Sequence, residues 1–98
     1  MNLIEKMSEV NNIGAKIKEE GVKFDELMDK MYQTIETLQT HWTGNQEDYL
    51  VFMSRVAKEE KNMRMIGKII GEYGQLLQDT ATNTKTLSDT IKSTVERV

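Results

Sequence analysis

Residues 38–50 read LQTHWTGNQEDYL, and two helical patterns meet inside this stretch. Upstream of it, positions spaced alternately four and three residues apart are Leu3, Met7, Val10, Gly14, Ile17, Gly21, Phe24, Met28, Met31, Ile35, Leu38 and Trp42. None carries a polar aliphatic or charged side chain, so the stripe holds for more than five heptads, the signature of a long amphipathic helix. Downstream, the pattern restarts with Tyr49, Phe52, Val56, Glu59, Met63, Ile66, Ile70, Tyr73 and Leu77, and continues more weakly through Thr80, Thr84, Leu87, Ile91, Thr94 and Val98. Between the stripes, Gly44 provides a residue suited to a tight reversal. Asn45 can cap the second helix, with Glu47 and Asp48 well placed for its first turn. The expected layout is a single domain over 1–98: helix 1 about 3–41, a turn at 42–45, helix 2 about 46–80, and a weaker helix or flexible tail over 80–98.

Proline is absent, so nothing forces either helix to break. The punctuation falls to six glycines. Gly14 and Gly21 each cost about 1 kcal/mol relative to alanine in a helix interior, yet both keep the register of the first stripe, which points to a neighbouring helix packing closely there. Gly67, Gly71 and Gly74 recur at helical spacing and mark either a close-packing face or a bend. Beyond residue 80 the sequence turns rich in threonine, a poorer helix former.

Composition narrows the function classes. The net charge of −3 argues against nucleic acid as the main partner, because binding phosphates needs a basic surface. Cysteine is absent and His41 is the only histidine, so the usual zinc and Cys/His arrangements cannot form within one chain. No glycine-rich phosphate loop occurs, and carboxylate pairs such as Glu19-Glu20 and Glu59-Glu60 read as solvated helix faces. Lys58, Lys61, Arg64 and Lys68 form a basic strip roughly opposite the second stripe, either solvated surface or a contact for an acidic partner. The sequence therefore nominates no catalytic residue, no cofactor and no metal, and the chain is not read as an enzyme. It lacks a run of about 18–20 apolar residues, so no stable membrane insertion is expected. The N-terminus MNLIEKMSEV has no basic start followed by an apolar run, which predicts no cleavable signal peptide.

Two helices joined by a short turn lie antiparallel, and such a hairpin buries only one side of each helix. The expected architecture is all-α, an antiparallel helical hairpin pairing with another into a four-helix bundle dimer. Candidate interface residues are Val10, Gly14, Ile17, Gly21, Phe24, Met28 and Met31 on the first helix, and Phe52, Val56, Met63, Ile66 and Ile70 on the second. Trp42 ends the first stripe, so its ring is expected to cover the hairpin end, either as a plain plug or as an aromatic mark read by another protein.

Trp42-Thr43-Gly44 near the middle of about a hundred residues, flanked by two helices and without cysteine, resembles the WXG family, the small early-secreted-antigen-like proteins exported by type VII secretion systems. The resemblance covers essentially the whole chain. It implies a hairpin that forms homodimers or heterodimers with another WXG-like chain, acts as a secreted substrate or effector or as the co-secreted partner of a larger one, and reaches the outside from the cytoplasm without a cleavable signal. It further implies that Trp42 and Gly44 form the turn half of an export signal, with a secretion ATPase or a larger toxin as further partners. The chain departs from the family in its C-terminal segment, where many members carry YxxxD or YxxxE. Tyr73 is followed four residues on by Leu77, no tyrosine follows it, and Tyr32-x-x-x-Glu36 lies in the first helix. Two alternative roles stand beside the secreted substrate: a partner or targeting chaperone for a larger secreted toxin, and a structural helical subunit of a filament.

Overall fold

A computed structural model describes residues 2–97, so the last position of the second stripe, Val98, lies outside the described residues. The elements are α1 (Leu3–Glu36), a four-residue α2 (Leu38–His41) and α3 (Gln46–Arg97), with no strand among the described residues. The chain is all-helical and folds back on itself once, α1 lying against α3. A 52-residue helix rises about 78 Å at 1.5 Å per residue, and α3 accounts for the long dimension of a molecule measuring 80 × 19 × 14 Å.

Each end of the first helical arm has a local cause. Asn2 caps α1 through a reciprocal pair: the Glu5 amide donates to Asn2 Oδ1 at 2.9 Å, and the Asn2 amide donates to the Glu5 carboxylate at 3.3 Å. The arm then breaks register at Thr37, before the expected boundary near residue 41. There the Thr37 hydroxyl donates to Thr34 O at 2.6 Å, and the Thr37 amide bonds the same carbonyl, a 3₁₀-type tightening. The direction of the chain is unchanged, because Thr37 keeps right-handed helical angles.

The reversal itself runs over Trp42–Asn45. Trp42 is extended at φ −73°, ψ 120°, and its indole Nε1–H donates to Asn45 O at 3.0 Å, tying the two ends of the loop together. Asn45 Oδ1 accepts from the Glu47 amide at 2.7 Å and so starts α3. The use of Gly44 differs from the sequence expectation. No glycine has a positive φ, so the turn does not need left-handed backbone. A side chain on Gly44 would instead stand 3.3 Å from Trp42 Nε1, and it is the empty space above Gly44 that lets the indole fold down over the loop.

α3 continues without interruption through the threonine-rich segment to Arg97. Thr80, Thr90 and Thr94 turn their hydroxyls back onto carbonyls four residues earlier, at 2.8–2.9 Å, which satisfies these groups within the helix. Among the described residues, Ala81 is the last buried one on α3. The part of α3 beyond it passes the start of α1, and Leu87, Ile91 and Val95 stand exposed there.

Candidate protein-binding surface

The seam between α1 and α3 is built on missing side chains. Gly14 and Gly74 face each other so closely that a Cβ on Gly14 would lie 2.7 Å from Gly74 O, and one on Gly74 would lie 2.6 Å from Gly14 O. One turn pair further along, a Cβ on Gly21 would meet Gly71 N at 3.2 Å and Gly67 O at 3.3 Å. The inward line of α1 is thus Gly14, Gly21, Met28, and that of α3 is Gly67, Gly74, Ala81, each spaced by seven residues. Close approach of the backbones leaves little room for a core: among the described residues, Met28, Tyr32 and Ala81 are the buried apolar side chains, and none of the larger ones is fully enclosed.

The two flanks of this seam differ in chemistry. On one, polar side chains bridge the helices. Lys18 Nζ donates to Gln75 Oε1 at 2.8 Å and to Gln78 Oε1 at 3.2 Å. Arg64 donates to Asp29 Oδ1 at 2.6 Å and to Asp25 O at 3.4 Å, and its guanidinium carbon sits 5.3 Å from the centre of the Tyr32 ring. The hydrogen bond to Asp29 raises the Arg64 pKa above its ordinary value, against a smaller opposing effect of desolvation, so the cation is held in its charged form. On the other flank lies an open groove of about 470 Å³, lined by Met31, Tyr32, Ile35, Phe52, Val56 and Met63, with Arg55 and Glu59 at its rim. The walls are almost wholly apolar. At roughly 100° per residue, Lys18, Asp25 and Asp29 fall to one side of the Gly14–Gly21–Met28 line and Ile17, Phe24, Met31 and Ile35 to the other, so the hairpin is a thin plank with one polar and one apolar broad face.

The candidate residues divide accordingly. Gly14, Gly21 and Met28 are covered by α3 and belong to the intrachain seam, because only that line lets the backbones approach. Met31, Phe52 and Ile66 are exposed, and Val10, Ile17, Phe24, Val56, Met63 and Ile70 are half-buried. Of these, Met31, Phe52, Val56 and Met63 come together in the groove. Trp42 is half-buried and its ring lies 5.6 Å from that of Tyr49 at a tilt of 53°, while Gly44 is exposed beneath it. Tyr32 and Ala81 were not legible as inward residues. Tyr32 falls one position outside the first stripe, and Ala81 sits between Thr80 and Thr84 of the second. The heptad of small residues Gly67, Gly74, Ala81 was the signal that locates this line.

The accessible surface of the chain is 7817 Å². A compact monomer of 11.3 kDa exposes about 5,700 Å², so this plank carries roughly 2,100 Å² more. Much of it is apolar: Leu27 (59%), Leu50 (58%), Met65 (58%) and Leu76 (61%) are each more than half exposed. Among the described residues no helix is long and apolar enough to cross a membrane, and no group of three or more His, Cys, Asp or Glu side chains is placed to hold a metal ion. Comparison with models of known protein families, with curated proteins and with solved structures finds no match for this chain.

Proposed function

We propose that this protein works by pairing its apolar face with a second helical hairpin, and that it is a WXG-type substrate of a type VII secretion system, exported as a dimeric effector or as the co-secreted partner of one. The observation that carries the pairing is the surface excess of roughly 2,100 Å² on a chain whose seam, among the described residues, encloses three apolar side chains. A single hairpin of this kind has little to offset the entropy of ordering its backbone. Covering the face that holds Met31, Phe52, Val56 and Met63 supplies that missing burial, and an obligate interface of 2,000–5,000 Å² is the size class that fits. Methionines at the centre of the groove suit a surface that adapts its packing to a partner.

The secretion assignment rests on the Trp42-x-Gly44 turn. Its indole is pinned to Asn45 O and leans on Tyr49, which presents a rigid aromatic shape at one tip of the plank for an export ATPase to read. Two measurements test the proposal. Light scattering on the full chain is expected to give twice the chain mass, falling to the chain mass in Phe52→Asp. Disrupting the secretion ATPase of the host is expected to remove the protein from the culture supernatant while cells retain it. Persistence in the supernatant without lysis overturns the secretion assignment. A stable, monomeric, cooperatively folded chain overturns the pairing.

A further inference from the structure

The back of α3, the edge turned away from α1, carries a second pattern that pairing through the groove leaves uncovered. Residues two positions from a seam residue point roughly 200° away from it. Met65 stands two before Gly67, Glu72 and Leu76 stand two either side of Gly74, and Asp79 stands two before Ala81, while Lys61 and Lys68, four before and three after Met65, lie within about 60° of it round the helix. Met65 and Leu76 are 58% and 61% exposed. Among the described residues, Lys61 and Asp79 have no ionic partner, and Lys68 reaches Glu72 only at 4.0 Å along its own helix. Asp79 merely accepts from Gln75 one turn away, at 2.9 Å.

This edge reads as the complement of itself when run backwards. About a point near residue 70, Lys61 opposes Asp79, Met65 opposes Leu76 and Lys68 opposes Glu72. A two-fold axis relating antiparallel helices places residues of one flank against the same flank of the copy. Lys61, Lys68, Glu72 and Asp79 all lie on one flank of the Met65–Leu76 line, so the charges meet each other and the apolar side chains meet each other. We infer that the back edge of α3 is a self-association surface: a second copy of this chain docks there antiparallel, with Lys61 and Lys68 of each chain paired to Asp79 and Glu72 of the other around a Met65–Leu76 centre. The contact spans about 27 Å of helix, from Lys61 to Asp79. A single-helix edge is smaller than the standard interface of about 1,600 Å², so the step is weak and sensitive to concentration and salt. It is separate from the groove face, and a chain using both assembles beyond a dimer.

Sedimentation equilibrium of the full chain tests the inference, at protein concentrations from micromolar to millimolar and at low and high salt. The parent chain is expected to gain mass beyond its groove-paired form at the upper concentrations, and to lose that gain in high salt. Lys61→Glu alone and Asp79→Lys alone are each expected to weaken the step about tenfold or more, by setting like charges opposite one another. The combined Lys61→Glu, Asp79→Lys chain is expected to regain it. Circular dichroism on the same samples monitors the hairpin, because Asp79 holds Gln75, which accepts from Lys18 across the two helices. In a Phe52→Asp background the edge step is expected to survive as a monomer–dimer equilibrium, which separates it from groove pairing. Single reversals that leave the step unchanged, a double reversal that fails to restore it, or no added mass at millimolar concentration overturns the inference.

Discussion

An alanine at position 14 puts a methyl group where the opposite backbone already is. Its Cβ would stand 2.7 Å from Gly74 O, 2.8 Å from Gln78 Cγ and 3.2 Å from Gln78 N. Ordinary contact begins near 3.4 Å, so the helices must separate by about 0.7 Å at this level, and a backbone carbonyl has no rotamer through which to move away. Overpacking of this kind costs about 1–3 kcal/mol, against the ~1 kcal/mol that alanine gains over glycine in a helix. The net expectation for Gly14→Ala is a loss of about 1 kcal/mol. Gly71 is the internal control, since a Cβ there meets nothing within 4 Å. Gly71→Ala is expected to keep the whole propensity gain of about 1 kcal/mol. For a domain of this size 1 kcal/mol moves Tm by roughly 4–8 °C, so the two variants should melt on opposite sides of the parent. Thermal unfolding followed by circular dichroism, at one fixed protein concentration because association raises Tm, reads this order directly. A Gly14→Ala chain melting as high as Gly71→Ala would refute the close seam, since both substitutions would then act only through helix propensity.

Further expectations follow from the same geometry. Gly74→Ala combined with Gly14→Ala should destabilise by less than the sum of the singles, because either methyl alone already parts the seam; a double-mutant cycle measures this. Arg64→Leu should lower the midpoint of a denaturant titration, through the lost cation–π contact with Tyr32 and the lost link to Asp29; an unchanged midpoint would show that the clamp is not formed in solution. Trp42→Ala loses the tilted contact with Tyr49, worth about 0.5–1.5 kcal/mol beyond area burial, and is expected to reduce export far more than helicity. A large fall in helicity would return Trp42 to a purely structural role.

The long stripes of apolar residues made the helical class and the reversal near residue 42 readable, because a heptad pattern with no proline has few other outcomes. Three features escaped that reading. The register break at Thr37 comes from a hydroxyl bonding backward, and many threonines bond that way without breaking a helix. Tyr32 is buried against residues of the other helix, among them Met53, Val56 and Arg64, which no spacing within α1 reveals. Gly44 matters through the space that it leaves under an indole, where its sequence context suggested backbone freedom.

Apolar spacing along the chain was enough to show that it is helical, where it turns back and how broad the apolar face of each helix is, whereas the ends of the arms differ, with α1 closing at Glu36 and α3 running on to Arg97. How that face is divided follows from the packing of the two helices. An apolar stripe on one helix is wide enough to hold two neighbouring lines, and periodicity cannot rank them. The pair of helices ranks them through distance: the line of Gly14 and Gly21 meets that of Gly67 and Gly74 because those positions let the backbones come closest. That choice turns Met31, Phe52 and Met63 outward into an open groove. Which line faces inward is a property of two surfaces in contact, and one-dimensional spacing does not contain it.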